Sequence, residues 1–412
     1  MSHRVILLTK SSSYRNKFFT QAAARLGIEV ILGIDIAPEL AQSWQVRLPL
    51  QFNRPHEAAQ TIANFARHTP VQAVLAVDDS GALVAAAAGL RLGLLHNAPE
   101  AAEAARNKHR MRQLLAAHGG ASPRFQLFNS TANPAQLAGL VDYPCVVKPL
   151  LLSGSRGVMR ANNPAEFETA FRRLARLLAK FAGGPESTRI LVEDFISGVE
   201  VALEGLLHQG RLHVLALFDK PDPLDGPFFE ETIYVTPSRL PEATQRAIAA
   251  CTAQAAAALG LRVGPIHAEL RVNQAGPWIV EIAGRSIGGL CSKTLRFGPE
   301  VSLEELILRQ AVGLPLETLQ RQGQAQGVMM IPIPGAGVLK AVTGVAEAQA
   351  VPGIEAVEIT AQVNQPLTPL PEGESYLGFI FAQGNTPEVV ESALRTAHAR
   401  LRFDLLPLLT FL

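Results

Sequence analysis

Glu269 and Glu281 lie in the stretch His267–Ile282, where apolar and polar residues alternate on either side of Asn273-Gln274-Ala275-Gly276. A turn signal between two alternating runs predicts a β-hairpin. Centred on Ala275, such a hairpin sets Glu269 directly opposite Glu281. Alternation then puts His267, Glu269 and Arg271 on one face with Glu281, and Ala268, Leu270 and Val272 on the other with Trp278, Val280 and Ile282. Opposed cross-strand side chains have Cβ atoms roughly 4.5–5.5 Å apart, and like charges there repel. Two carboxylates so placed need a proton, an arginine or a divalent cation between them. Hard oxygen donors suit Mg²⁺, which takes one or two carboxylates and completes its shell with phosphate oxygens and water. The plainer reading is a solvated hairpin face neutralised by Arg271 or Arg285.

Three further segments carry matching chemistry. Glu281 runs into Ile282-Ala283-Gly284-Arg285-Ser286-Ile287-Gly288-Gly289. An arginine there reads phosphate or carboxylate, and the glycines let backbone N–H groups approach an anion. Lys148 closes the apolar run Cys145-Val146-Val147-Lys148-Pro149 and precedes the small, flexible loop Ser153-Gly154-Ser155-Arg156-Gly157. A lysine beside an N–H-rich loop suits a phosphate chain, although no G-K-[ST] follows and this is not a Walker loop. Leu191–Ile196 reads as a strand with an acidic end, and Glu200 follows Gly198. A carboxylate at Glu193 or Glu200, near a free backbone edge, could bind an adenine amino group or a ribose hydroxyl. Each glutamate alone reads more often as solvated surface.

The elements that must position these residues fall into distinct rhythms. Over residues 1–100, strands at Arg4–Leu8, Ile28–Leu32 and Val71–Val77 alternate with helices at Tyr14–Leu26, Ala58–Arg67 and Ser80–Leu90, which predicts a parallel sheet covered on both faces. No G-x-G-x-x-G follows the first strand, against a dinucleotide-binding reading. A small α+β unit follows a helix at Asn107–Ala117. Strand patterns come at Glu204–Leu217 and Leu261–Ile282 around a helix at Pro241–Leu259, and Leu303–Val312 reads as another helix. Beyond Gly327, β-like runs at Val328–Ile333, Ala356–Ile359 and Gly378–Phe381 precede a helix at Pro387–Leu401 with Thr386 as its N-cap.

A 412-residue chain that is 48% apolar has material for two or three domains. Its net charge of +1 argues against a dedicated nucleic-acid or membrane-surface binder, since both need a basic face. Cys145, Cys251 and Cys291 show neither disulfide nor metal spacing, which fits a reducing cytoplasm. Val5–Leu8 is too short for a signal peptide or a membrane span, and Ala82–Leu95 is interrupted by Arg91.

The order of the segments resembles the ATP-grasp superfamily over nearly the whole chain. Lys108, in Asn107-Lys108-His109-Arg110-Met111-Arg112, matches that family's helix-start lysine. Lys148 matches the V-K-P strand, Ser153–Gly157 the glycine-rich loop, and Glu193, Phe195 and Ile196 the hinge. Glu200 matches the acidic residue after it, Glu269 and Glu281 the metal-binding glutamates, and Arg285 the arginine that contacts phosphate or substrate carboxylate. Ala283 departs from the pattern, because many members carry a metal-binding asparagine there.

The resemblance implies an α/β and α+β multidomain chain. A parallel-sheet pre-ATP-grasp domain would span 1–105, the ATP-grasp domain 106–325 with a lid at about 125–205, and a β-rich lobe 326–412. It implies an ADP-forming carboxylate–amine ligase acting on amino acids or similar small metabolites, with ATP and Mg²⁺ (or Mn²⁺), and a homodimer. Lys108, Lys148, Ser153, Gly154, Ser155 and Gly157 would hold the phosphates, with adenine against Glu193–Ile196. Glu269 and Glu281 would hold the metal, and Arg285 with Lys148 would act on the reacting groups. Lys220 with Glu230 and Glu231 could form a substrate loop, and His267, Gly288 and Gly289 could border the acceptor. Otherwise Lys220 is a solvated loop charge and His267 is hydrogen-bonded within the sheet. Two alternatives stay open: a bicarbonate-dependent carboxylase or purine-biosynthesis relative, and a non-catalytic nucleotide-binding module, to which Ala283 points.

Overall fold

The computed structural model describes residues 3–11, 13–181, 184–298, 301–316 and 318–407. Arg4–Lys10 is flanked by Glu29–Asp35 and Ala73–Ala76, all parallel, with Leu48–Leu50 beyond Glu29–Asp35. The central strand is buried on both faces. Val5 and Leu7 pack towards Phe19 of the helix Asn16–Arg25, while Ile6 and Leu8 pack towards Ile62 of Pro55–His68 and Val84 of Ala82–Leu92. The expected strands and helices are all present here. Leu48–Leu50 escaped because three residues around a proline carry no period.

The inserted unit is a sheet of Phe125–Asn129, Arg189–Asp194, Cys145–Pro149 and Met159–Ala161. It is backed by the helix Pro164–Leu178, whose Phe167, Phe171 and Leu174 fill its core. Asn163 caps that helix, accepting from Glu166 N, with proline at the first helical position. This sheet ends at Asp194. Val199–His208 belongs to the large sheet, so the stretch expected to run as lid to about 205 divides between two sheets.

That large sheet has eight strands, in the order Gly276–Ala283, Gly264–Asn273, Val199–His208, Arg211–Lys220, Ile233–Thr236, Ala325–Ile331, Gly378–Gly384 and Ile354–Ile359. Every pairing is antiparallel. The run Glu204–Leu217 is thus two strands, joined at Gln209-Gly210, whose φ values of 51° and 84° make a tight turn. The strand Ala325–Ile331 pairs with Ile233–Thr236, so the sheet runs unbroken across residue 325. A smaller sheet of Pro366–Leu367, Gly337–Thr343 and Arg402–Leu406 completes the carboxy-terminal region. There Thr386 caps Pro387–His398, accepting from Val389 N.

One core joins Val5, Leu7 and Phe19 to Ala202 and Phe218 of the large sheet through Leu303 and Leu306. The loops after the parallel strands are thereby fixed against the large sheet. No helix among the described residues is long and apolar enough to cross a membrane.

Candidate active site

The hairpin forms with Glu269 opposite Glu281 and Asn273 opposite Gly276. Asn273 Oδ1 accepts from Ala275 N (2.9 Å) and stiffens the turn. The alternation expected beyond the glutamates does not hold. Leu270 faces Ile279, and Val280 is an extra residue, a β-bulge. Leu270 and Ile279 therefore share the core, while Trp278 opposes Arg271. Arg112 donates to the carbonyl of Val280, which ties the bulge to the helix Lys108–Ala117.

Alternation across four strands then gathers the charges. Arg271 and Lys220 each lie opposite Glu200, and His267 lies opposite Glu204 and Ala283. Lys220 Nζ donates to Glu200 (2.8 Å) and Glu231 and lies 3.7 Å from Glu269. Glu200, Glu231 and Glu269 each bring a carboxylate oxygen within 4.8 Å of the others. Burial pushes the Glu231 carboxyl up and Glu269's repulsion adds to it, against the pull of Lys220, to about 7. Glu269 stays ionised, because Lys220 and His267 outweigh its burial.

His267 Nδ1 lies 3.2 Å from Glu204 and Nε2 3.5 Å from Glu269. Burial would depress the imidazole, but these two carboxylates raise it to about 9. Glu204, fully buried, also accepts from Ile287 N at 3.1 and 3.0 Å, anchoring the loop after the hairpin.

A second cluster sits under the lid. Lys148 Nζ donates to Glu193 Oε2 (2.5 Å), and Arg112 Nε pairs with Glu193 Oε1 (2.7 Å). Burial lowers the Lys148 pKa, and Glu193 returns only part of that, because the like charges of Arg112 and Lys108 push the same way as burial. Lys108 Nζ lies 3.2 Å from Glu281 and donates to Leu152 O (2.9 Å). Asn107 caps its helix, accepting from His109 N and Arg110 N.

A cavity of about 520 Å³ unites these groups. It is lined by Lys108, Lys148, Ser153, Gly154, Ser155, Glu193, Phe195, Ile196, Glu200, Glu231, His267, Glu269, Glu281, Arg285, Gly288 and Gly289. Three candidates stand outside that lining. Gly157 turns away, its N–H donating to Pro371 O (2.8 Å). Lys220 is no loop charge but the last residue of a strand, buried because its ammonium is enclosed by carboxylates. Glu230 is half-buried and held by a backbone hydrogen bond from Ile333. The Glu193 carboxylate is occupied by two cations, so it sets Lys148 instead of offering itself to a base. The hinge edge is partly taken as well: Phe195 N donates to Pro144 O, and Ile196 O accepts from Arg271.

Several residues that shape the site went unread. Arg112 lies one helical turn after Lys108, the i,i+4 spacing that places both on one face. Glu204 shares the parity of Glu200 on the same strand. Asp79, which takes Arg285 Nε at 2.8 Å, follows the end of a parallel strand, as do Tyr14 and Arg15. Ligands gather at the carboxyl ends of such strands, and that is the signal that could have found them.

The decisive feature is the order of parts around the cavity: helix-start lysine, strand lysine under a glycine loop, opposed glutamates, then the arginine loop. Residues 141–294 match the ATP-grasp domain, 20–95 the ATP-grasp N-terminal domain, and 329–405 the L-amino acid ligase C-terminal domain 2. The chain belongs to the ATP-grasp superfamily.

Within that superfamily it is 32% identical over 194 residues to dapdiamide A synthase of Enterobacter agglomerans, covering 46% of this chain and 44% of that protein. It is 26% identical over 215 residues to alanine–anticapsin ligase of Bacillus subtilis strain 168, covering 48% and 45% respectively. The matched region thus spans less than half the length of either relative. The crystal structure of an L-amino acid ligase from Bacillus licheniformis superposes with a TM-score of 0.78 at 26% identity, over 98% of this chain and 99% of that one. The ATP-grasp fold expected from the sequence is the fold observed.

Proposed function

We propose that this ATP-grasp chain is an ADP-forming carboxylate–amine ligase that joins amino acids or similar small metabolites. The observation that carries the proposal is the pair Glu269 and Glu281, opposed across one hairpin and open to a cavity that Lys108, Lys148 and Arg285 also reach. Dapdiamide A synthase, alanine–anticapsin ligase and the L-amino acid ligase are the relatives that support it.

The donor set fits a hard divalent cation, since opposed carboxylates with ammonium groups beside them mark places where positive charge is required. Glu269 and Glu281 would hold Mg²⁺ (or Mn²⁺), which when bound offsets phosphate charge. Lys148, carried by the lid and surplus in its cluster, would grip the phosphates of ATP with Lys108 and the N–H groups of Ser153–Ser155. Arg285, steadied by Asp79, would orient the acid's carboxylate towards the γ-phosphate. The acyl-phosphate so formed passes its acyl group to an amine and releases phosphate. Catalysis rests on positioning and charge neutralisation, with the lid excluding water.

The lid is held over the site by Arg173, which donates to both oxygens of Glu372 (2.6 and 2.8 Å), and by Arg156, which reaches Glu374 (2.9 Å). The unpaired thiols Cys145, Cys251 and Cys291 fit a cytoplasmic setting, and the superfamily supports a homodimer. The test is phosphate and ADP release across paired amino acids with ATP and Mg²⁺, with products identified by mass. Glu281→Gln should abolish release. Unchanged turnover in that variant, or phosphate release that requires bicarbonate instead of an amine, would reject the proposal.

A further inference from the structure

Beyond the charged clusters, one wall of the same cavity is uncharged. Met330 and Phe379 face each other on paired strands. Tyr14 meets the Phe379 ring edge-on at 6.2 Å, and Tyr376 lies 6.4 Å from it. The backbone of Gly289 closes on the same ring: a Cβ there would lie 3.0 Å from Phe379 Cε1 and 3.5 Å from Cys291 Sγ. All six line the cavity, and four residues along the same loop from Gly289 is Arg285.

The charged groups near this wall are already held by hydrogen bonds within the protein. Arg15 donates to Val77 O and Ser286 Oγ, Lys220 is held by Glu200 and Glu231, and Glu374 takes Arg156. A charged group set on this apolar wall would lose its hydration, whereas an apolar group gains by leaving water.

We infer that the acid activated by this enzyme is an amino acid with a large apolar side chain, of leucine, methionine or phenylalanine type, seated against Tyr14, Met330, Tyr376 and Phe379 while its carboxylate meets Arg285. The inference rests on the ligase reading of the site and adds which acid it takes. Each buried methylene is worth about fourfold in selectivity, so leucine should exceed alanine by roughly 50-fold in kcat/KM.

Hydroxylamine in place of the amine isolates the acid site, because it captures the acyl-phosphate as a hydroxamate with loss of phosphate. The expected result is hydroxamate from leucine, methionine and phenylalanine, little from glycine or alanine, and none above background from aspartate, lysine or arginine. Met330→Ala should raise the phenylalanine-to-leucine ratio, a readout that any general loss of fold leaves unchanged. Preference for a charged or the smallest amino acid would overturn the inference while leaving the ligase reading intact. Absence of hydroxamate from every acid would count against the ligase reading. Calorimetry with a non-hydrolysable ATP analogue and Mg²⁺ then decides the pocket by itself: leucine binding at least tenfold tighter than aspartate or lysine upholds it, and equal or reversed affinities overturn it.

Discussion

The Glu193 cluster allows a prediction in which two neighbouring substitutions act in opposite ways. Two cations, Arg112 and Lys148, share one carboxylate, and the three side chains are 0%, 6% and 2% exposed for Arg112, Lys148 and Glu193. Glu193→Gln leaves two buried cations without an anion. Breaking a buried pair this way costs about 3–5 kcal/mol, or roughly 6–20 °C in melting midpoint for a domain of this size class. Lys148→Met leaves a one-to-one Arg112–Glu193 pair and removes a charge that burial and the like charges of Arg112 and Lys108 disfavour, so the nucleotide-free midpoint should hold or rise slightly.

The same variant loses the surplus cation proposed to meet phosphate, a charge-assisted contact worth about 1.5–3 kcal/mol. Differential scanning fluorimetry with and without a non-hydrolysable ATP analogue separates the two effects. At 100 times Kd, ligand adds about 2.7 kcal/mol to the wild type; in Lys148→Met the shift at that concentration should be at most about half. A nucleotide-free Lys148→Met that melts many degrees low would show the lysine to be structural. An undiminished nucleotide shift would show that it does not meet phosphate. Either result refutes the reasoning.

Other consequences follow from single groups. Glu231 titrates near 7 when folded against 4.5 as a free side chain, so the folded state holds its proton more tightly. That contribution is complete below about pH 4.5 and is lost as pH rises through about 7; Glu231→Gln should flatten metal-free stability between pH 5 and 7 by up to about 3 kcal/mol, read from denaturant melts. Ala283 is buried beside His267, and Ala283→Asn would add an oxygen donor near the glutamates, so the Mg²⁺ concentration for half-maximal ADP release should fall. Glu372→Gln cuts a partly exposed ion pair worth at most about 1 kcal/mol and should hardly move the melting midpoint. It should nevertheless speed hydrogen exchange at residues 153–157 and raise ADP release without an amine.

How far the site could be read from the sequence depended on the range over which each residue is positioned. The hairpin was legible because turn, alternation and the two glutamates all lie within a score of residues, and register follows from the turn. Its bulge was not, because the carbonyl of Val280 is held by Arg112, which arrives from a helix far earlier in the chain. Lys220 read as a loop charge because its three carboxylates come from three separate segments. The large sheet was legible strand by strand, but not its continuity across residue 325, since pairing between Ile233–Thr236 and Ala325–Ile331 leaves no local mark. Short strands such as Pro366–Leu367 carry too few residues for any period.

The two charge clusters are unbalanced in opposite senses, and that bears on how substrates enter. Under the lid, Arg112, Lys108 and Lys148 outnumber Glu193 and Glu281. Across the hairpin, Glu200, Glu204, Glu231 and Glu269 outnumber Lys220, Arg271 and His267, and burial with Glu269's repulsion raises the Glu231 carboxyl to about 7. A phosphate chain alone relieves the first imbalance and a divalent cation alone the second; the two together relieve both and attract each other. Nucleotide and Mg²⁺ should therefore each tighten the other's binding by the same factor, as linkage requires. The row holding Glu269 and Glu281 is where that coupling passes, because Glu281 touches Lys108 and Glu269 touches the Lys220 cluster. A variant that neutralises either glutamate should uncouple the two ligands more than it weakens nucleotide alone.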